Sequence, residues 1–510
     1  MTNSEIYDVI IIGGGITGLG TARDCAMRGL KVLLVERHDI ASGASGRNHG
    51  LLHSGARYAV KDGESAKECI SENRILKKIA PHCIENNGGL FITLPEDNET
   101  GYGISYQRTF IEACKAAGIE AKVIDPKEAL LLEPSVNPSL IGAIKVPDAS
   151  VDPFKLCAAN MLDALQRGAT ILPYTEVTGI IREGATVVGI RTRNSLNGDT
   201  AEYRAPVTVN AAGIWGAKMA SMAGVSVNMY PAKGALLVFA HRVNNVVINR
   251  CRKSADGDIL VPGDTVTVIG TTSTKVPFEE CDNMKVTSDE VRILLHEGCN
   301  LCPSLATTRI LRAYAGVRPL VADDEDPTGR SISRGIVCLD HETRDGLKGF
   351  VTITGGKMMT YRLMAEKATD MVCRKLGIRR KCATATTMLA DPLLPRHNSD
   401  SAQHLVCECE KVTFEDIKWA VEHLGVHNLE DLRRRTRIGM GTCQGTYCIY
   451  KAARALAEAK GHPEETGNLI KEFLNERWKG MSGVGWGDTL REMEFMQKVY
   501  KVGKPSTFEP

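Results

Sequence analysis

The stretch from Tyr7 to Glu36 constrains the fold more than any other part of the chain. Tyr7 to Ile12 is an apolar, β-branched run that reads as a strand buried on both faces. Gly13-Gly14-Gly15-Ile16-Thr17-Gly18 follows at once. Thr17 to Arg28 then carries helical periodicity through Leu19, Ala22 and Ala26, Gly29 stops it, and Lys31 to Val35 forms a second strand ending in Glu36. A β-α-β unit of this kind demands a parallel sheet covered by helices, hence an α/β fold. Gly13, Gly15 and Gly18 stand in G-x-G-x-x-G: the first permits the tight turn, the second lets backbone approach a pyrophosphate, and the third lets helix and strand pack closely. The helix N-terminus beside Gly14, Gly15 and Thr17 offers free N–H groups and positive dipole charge to phosphates. Glu36, with Arg37 next to it, ends the second strand where an acid can accept from ribose hydroxyls. The complete unit points to a bound dinucleotide; a glycine-rich turn without a ligand is the plainer alternative.

At 510 residues the chain is long enough for about three domains. Lys plus Arg is 63 and Asp plus Glu is 61, so the formal charge of +2 gives no bulk electrostatic case for nucleic acid. With 43% hydrophobic and 24% charged residues, a mainly disordered or fibrous protein is excluded. No uninterrupted apolar run is long enough to span a bilayer, and Met1 to Tyr7 lacks the basic-then-apolar layout of a secretory signal. A reducing compartment is therefore expected, where the 16 cysteines would not pair as disulfides. Those scattered singly from Cys25 to Cys382 read as small buried hydrophobes. The other four are grouped near the C-terminal end.

The rest of the chain reads as a mosaic. Asp152 to Gln166 is expected to be helical. Ala169 to Ile181 and Ala185 to Arg193 alternate like antiparallel strands around Glu183-Gly184, and Pro206 to Ala211 is a strand running into Ala212-Gly213. Segments 1–83, 147–225 and 321–383 are assigned to a discontinuous dinucleotide-binding domain. The strand-rich, turn-rich segments 84–146 and 226–320 are assigned to an interleaved antiparallel-sheet domain. A linker is expected over 384–404, a compact cysteine-bearing domain over 405–455 and a helical tail over 456–510. FAD is favoured over NAD for two reasons. The loop Ser42-Gly43-Ala44-Ser45-Gly46-Arg47-Asn48-His49-Gly50 can wrap a long ligand. Gly355-Gly356-Lys357-Met358 sits between the strand Gly349 to Thr354 and the helix Thr360 to Leu376, aiming a second helix N-terminus at the negative charge of a reduced flavin. Ser42, Ser45, Arg47, Asn48, His49, Ala211, Gly213, Gly355, Gly356, Lys357 and Met358 thus join the glycine loop as cofactor candidates.

The motifs DVIIIGGGITGLGTARDCAMRG, GRNHGLLHSGARY, VNAAGIWG, AYAGVRPLV and TITGGKMMTYRLMAEKATD resemble those of the FAD-dependent glycerol-3-phosphate dehydrogenases, within the wider D-amino-acid-oxidase-like flavoproteins. With the cysteine module added, the chain from about residue 6 to about residue 500 resembles the anaerobic, multi-subunit branch of that family. The resemblance implies a Rossmann-like FAD domain of the D-amino-acid-oxidase/glutathione-reductase type, α/β and α+β overall, interleaved with an antiparallel-sheet substrate domain. It also implies oxidation of sn-glycerol 3-phosphate to dihydroxyacetone phosphate. At the matching positions Arg57, Arg318 and Lys357 hold the substrate phosphate or line the space over the isoalloxazine ring; an ordinary surface charge is the alternative for each. His53, in Leu52-His53-Ser54-Gly55, is the candidate general base, since an imidazole titrates near neutral pH. Its alternative is a packing or flavin-contacting histidine. Aerobic relatives often carry a histidine shortly after the pair matching Lys233-Gly234; here Ala235, Leu236 and Leu237 follow. The implied partners are a second flavin-bearing protein of the same complex and a membrane-anchoring iron–sulfur protein that passes electrons to quinone, which would place the chain peripherally on the cytoplasmic face of a bacterial inner membrane. A related amine or 2-hydroxyacid dehydrogenase with the same cysteine module is the competing reading, because fold alone does not choose a substrate.

Cys407-Glu408-Cys409 and, after 33 intervening residues, Cys443-Gln444-Gly445-Thr446-Tyr447-Cys448 form the grouped set. Two thiolates close on one loop and two on another can surround two irons. The arrangement resembles the bacterioferritin-associated-ferredoxin-like [2Fe-2S] domain, although that domain often ends in Cys-x-x-Cys and here four residues separate Cys443 from Cys448. Structural zinc and unliganded thiols remain as alternatives. The basic run Arg433-Arg434-Arg435 with Arg437 reads as an offset to cluster charge, a partner contact or a solvated helix face. Trp478, Trp486, Phe495 and Tyr500 in the tail read as a docking face or as packing on their own domain.

Overall fold

The computed structural model describes residues 6–321, 332, 335–393 and 404–502. Its centre is the expected β-α-β unit. Strands Val9–Ile12 and Val32–Val35 pair in parallel, and every residue of both is buried. Full burial of each Val, Ile or Leu side chain contributes roughly 1.5–3 kcal/mol, which is why eight such residues fix the middle of the sheet. Around them the six-stranded order is Ile336–Asp340, Phe350–Gly355, Val207–Asn210, Val9–Ile12, Val32–Val35 and Thr170–Leu172, with only Ile336–Asp340 antiparallel to its neighbour. Helices Ile16–Met27, Pro153–Gln166 and Tyr361–Lys375 cover one face. The three-stranded antiparallel sheet Thr175–Glu183, Thr186–Asn194 and Thr200–Arg204 covers the other, where Ile10, Ile12 and Leu33 meet Val177 and Ile190.

One expected strand is two. Ala169 to Ile181 breaks at Pro173-Tyr174: Pro173 has no N–H for a ladder, and Tyr174 takes a left-handed φ of 55°. Thr170–Leu172 stays in the parallel sheet, and Thr175–Glu183 turns away to pair with Thr186–Asn194.

A nine-stranded sheet draws strands from two distant stretches of chain. Gly89–Thr93 pairs antiparallel with Gly142–Val146 on one side and parallel with Val247–Arg250 on the other, which joins the stretches into one layer. Its far side holds Ile259–Gly263, Val266–Gly270, Met229–Phe239 and Ile310–Val321. The register sets Ile259 opposite Gly270 and Ala232 opposite Arg318.

The C-terminal part packs helices Phe414–Leu424, Leu429–Thr436, Ile449–Ala459 and Thr466–Met481 around Ile417, Leu432, Ile449, Leu456 and Phe473. Part of the expected linker, 394–403, lies outside the described residues. Trp478, Trp486 and Phe495 are about half exposed; the Tyr500 side chain lies outside the described residues. Among the described residues no helix is long and apolar enough to cross a membrane.

The basic run does something none of its three expected readings proposed. The Arg435 side chain is fully buried, and its Nη1 and Nη2 donate to the Asp39 carboxylate at 3.0 and 2.5 Å; Arg434 Nη1 donates to the same group at 3.0 Å. Arg437 donates to Glu410 at 2.9 Å and Asp152 at 3.1 Å. Tyr174 Oη donates to Asp431 at 2.7 Å. These contacts lock the cluster-bearing part against the strand, loop and helix of the first domain. Removing one member of a buried pair leaves the other charge uncompensated. Asp39→Ala is therefore expected to destabilise this docking by roughly 3 kcal/mol, read as an early, separate transition in urea unfolding. A single transition at the unaltered midpoint would contradict the clamp.

Candidate flavin site and cysteine cluster

The glycine loop is built as a cradle. A Cβ on Gly18 would lie 1.9 Å from the Gly13 carbonyl oxygen, and one on Gly13 (φ 115°) would lie 2.6 Å from the Ala211 carbonyl oxygen. These contacts hold strand, loop and helix too close for any side chain. Helix Ile16–Met27 has no acidic residue in its first turn and no side-chain cap; Ser45 Oγ accepts from the Ile16 N–H at 2.9 Å. The open positive end is what a pyrophosphate requires. Glu36 is drawn into the loop, accepting from the N–H of Gly14 at 2.7 Å and of His38 at 2.9 Å, and burial pushes its carboxyl above the ordinary value. Arg37 stacks its guanidinium 4.3 Å from the Trp215 ring and pairs with Asp282.

Loop 42–50 folds on itself before it reaches the substrate side. Asn48 Nδ2 donates to the Ser45 carbonyl at 2.7 Å, Gly50 N–H donates to Asn48 Oδ1, and Tyr314 Oη donates to the Asn48 carbonyl at 2.8 Å. Arg47 points from this loop toward the cluster-bearing part; burial lowers its pKa first, and Arg434 adds to the effect. A Cβ on Gly43, next to Ser42, would lie 3.3 Å from the Trp215 ring, and Gly213 stands two residues before that tryptophan. Gly355 and Gly356 have φ of 72° and 61°, turning the chain after strand Phe350–Gly355 so that Lys357 and Met358 lead into helix Tyr361–Lys375. Thr17 Oγ1 meets Met364 of that helix at 3.8 Å, so the two helix N-termini are neighbours.

The four candidate catalytic residues converge from separate parts of the chain. Arg57 Nη2 donates to Asp258 at 2.8 Å, while its Nη1 is buried without a partner. Asp258 is held further by Arg252 and the Ala255 N–H; burial alone would raise its carboxyl, but Arg57 and Arg252 hold it below the usual range. Arg318 donates to Thr271 Oγ1 at 2.5 Å, the Thr272 carbonyl at 2.9 Å and Ser273 Oγ at 3.1 Å. Because Ile259 and Gly270 are paired in the ladder, Asp258 and Thr271 sit side by side at adjacent strand ends. Arg57 and Arg318 are thus anchored next to each other. A Cβ on Gly270 would lie 3.8 Å from His49 Cδ2. His49 stands edge-on to His53 at 5.8 Å, His53 lies 5.4 Å from the Tyr58 ring, and Lys357 Nζ lies 4.7 Å from that ring. Sequence reasoning missed Tyr58, Asp258, Thr271 and Ser273. Tyr58 had a signal, its position directly after Arg57 on one short helix; the others become neighbours only through sheet register.

The cysteines converge as well. Cys409 Sγ and Cys443 Sγ are 3.8 Å apart, and Cys448 shares its proton with Cys407 and Cys443. That hydrogen bond, with N–H donors from Tyr447 and Gly445, brings the Cys443 thiol down to about 5; Cys448 with N–H donors from Gly439 and Glu410 brings Cys407 to about 7. Thiolates with backbone donors suit iron. A Cβ on Gly441 would lie 2.3 Å from Cys409 Cβ, so this glycine is what lets the two loops meet. Among the described residues no trio of His, Cys, Asp or Glu is arranged to hold a single metal ion.

Comparison with known proteins follows the same division. Residues 8–362 match the family model for FAD dependent oxidoreductases, and residues 405–458 match the BFD-like [2Fe-2S] binding domain. One component of the anaerobic glycerol-3-phosphate dehydrogenase of Escherichia coli K12 is 58% identical, covering 98% of this chain and 97% of its own. This chain belongs to the family of that component. The Haemophilus influenzae member is 54% identical over 97% of this chain and 92% of its own. The crystal structure of glycerol-3-phosphate dehydrogenase from Bacillus halodurans shares the fold at a TM-score of 0.59, with 22% identity, 99% coverage of this chain and 97% of its own. The cofactors of this family member are FAD and a [2Fe-2S] cluster. The glycine cradle, the open helix end and the four gathered thiols fit them: Gly13, Gly15, Gly18 and Ser45 would hold the pyrophosphate, and Cys407, Cys409, Cys443 and Cys448 the irons.

Proposed function

We propose that this chain oxidises sn-glycerol 3-phosphate to dihydroxyacetone phosphate and passes the electrons through its cysteine domain to partner proteins. The observation that carries the substrate choice is the anchoring of Arg57 and Arg318 by Asp258 and Thr271 at adjacent strand ends, with Arg57 Nη1 buried and unpartnered. Two guanidinium forks side by side suit a phosphate monoester, and each charge-assisted bond is stronger than a neutral one. Anchored there, a three-carbon phosphate extends toward the His49, His53, Tyr58 and Lys357 group. Bound FAD would supply the acceptor for the hydrogen on C2, and the [2Fe-2S] cluster a one-electron carrier. His53 takes the proton from the C2 hydroxyl as general base, with Tyr58 fixing its ring and Lys357 adding positive charge beside the developing oxyanion.

The relatives are named as one lettered component of a larger enzyme, which supports the presence of further subunits. The reading extends to a second flavin-bearing component, to an iron–sulfur component that anchors the complex in the membrane, and to quinone as final acceptor. It places the chain peripherally on the cytoplasmic face of the inner membrane. Dye-linked turnover should be fast with glycerol 3-phosphate and negligible with sarcosine, proline or 2-hydroxyglutarate; a preference for any of the latter would overturn the substrate choice. In stopped flow, His53→Asn is expected to slow substrate-dependent bleaching roughly 100-fold, within the range for loss of a general base. An unchanged rate would disqualify it.

A further inference from the structure

A cavity of about 1210 Å3 lies between the flavin domain and the cluster domain, larger than most small-molecule pockets. Its walls come from loop 42–50, from strand Ile310–Val321 at Arg312 to Ala315, and from the cluster domain at Cys409, Met440 and Phe473. None of His53, Arg57, Arg318 or Lys357 lines it, and it meets the substrate side only at His49 and its loop.

Two arginines of its wall, Arg312 and Arg433, are incompletely paired, although carboxylates such as Glu472 and Glu476 line it beside them. Arg434, Arg435 and Arg437 are neutralised by Asp39, Asp152 and Glu410. Arg312 has no hydrogen bond or ion pair to any described residue, nor has Arg477, which does not itself line the cavity, and Arg433 spends only Nη1, on Glu430. The Nε atoms of Arg312, Arg433 and Arg477 are all sealed from solvent and unpartnered; Arg433 and Arg477 are each 5% exposed. The three guanidiniums follow one helix face. Phe473, Arg477 and Gly480 share a side of Thr466–Met481, with Arg433 stacked 5.7 Å from the Phe473 ring. At Gly480 a Cβ would lie 3.1 Å from Arg312 Nε, so the missing side chain is what admits that arginine. The acids facing the group are Glu430, Glu476 and Glu492, of which Glu430 bonds Arg433 and Glu492 pairs with Arg309. Burial, with like charge from the neighbours, brings Arg312 down to about 10 and Arg477 to about 9. Buried charge without a counter-ion is costly and is normally paired.

We infer that this cavity binds a ligand carrying a phosphate or carboxylate, its oxyanion held by Arg312 and Arg433 with Arg47 at the flavin-loop side. Val238, Val266, Val268 and the Tyr314 ring supply apolar surface for an aromatic or aliphatic body. The occupant lies between the flavin loop and Cys409.

Inorganic phosphate, with succinate as the carboxylate arm, tests this by calorimetric titration of the full-length, FAD- and cluster-loaded chain at constant ionic strength set with chloride. Wild type should show an oxyanion site beyond the one that competes with glycerol 3-phosphate. Arg312→Gln and Arg433→Gln should each weaken it at least 10-fold while leaving that competition unchanged, and Arg318→Gln should do the reverse. Preference for phosphate over succinate, or the opposite, identifies the head group. Should Arg312→Gln not fold, Arg47→Gln gives a milder loss at the same site. Removing a half-buried charge that no acid pairs also predicts that Arg312→Met melts higher than wild type in chloride and gains less from phosphate. A single site, wholly competitive with substrate, would overturn the inference. So would a second site indifferent to Arg312, Arg433 and Arg47, or a wall neutralised only when a partner protein is added.

Discussion

Arg318→Ala is expected to lower kcat/KM for glycerol 3-phosphate about 10³-fold, mostly through KM, while changing turnover of glycerol by no more than a few-fold. Hydrogen bonds to charged groups contribute roughly 1.5–3 kcal/mol each, and a forked guanidinium on a phosphate makes two. Thr271, Thr272 and Ser273 hold both Nη groups of Arg318 in place, so its loss is not replaced by a neighbour swinging in. Glycerol has no phosphate and gains nothing from the fork. Arg318→Lys should recover only part of the loss, because an ammonium is a point charge. Equal losses with both substrates would show that Arg318 holds the sheet end together and does not contact phosphate.

Cys443→Ser is expected to leave reduction of the flavin by substrate intact and to cut turnover with the physiological acceptor by at least about 10³-fold. The Cys443 thiol is held below its ordinary value by Cys448 and by the N–H groups of Tyr447 and Gly445, and its sulfur lies 3.8 Å from that of Cys409. A serine hydroxyl has neither the acidity nor the softness to replace it at iron. The two half-reactions then separate in one protein: fast bleaching, no onward transfer. Normal acceptor-linked turnover in the variant would remove the cysteine cluster from the route.

How much is legible in the sequence depends on whether the chemistry is local. The β-α-β unit is readable because strand, glycine loop, helix and second strand are contiguous and each residue type has one geometric reason to be there. Arg57, Arg318 and Lys357 can be singled out, but not the fact that the first two share a strand-end anchor. That follows from the pairing of Ile259 with Gly270, a register no spacing encodes. The Ala169 to Ile181 strand reads too long because its alternation outweighs Pro173. The arginine run at 433–437 reads as solvated or partner-facing because its acids, Asp39 and Asp152, lie hundreds of residues away; a string of charges looks exposed until a fold brings carboxylates to it. Arg312 carries no signal at all, since its place on a cavity wall beside Arg433 comes only with the fold.

The central claim is that a small phosphorylated alcohol reduces a flavin which then feeds an iron–sulfur cluster in the same chain. The direct measurement is the anaerobic visible spectrum of the purified protein before and after glycerol 3-phosphate, with iron and acid-labile sulfide determined on the same sample. The account predicts a yellow-brown protein with iron and sulfide in equal amounts, whose flavin band bleaches on addition of substrate and whose cluster band then partly fades. A protein with flavin that stays oxidised under excess glycerol 3-phosphate, or one that bleaches but contains no iron, would contradict it.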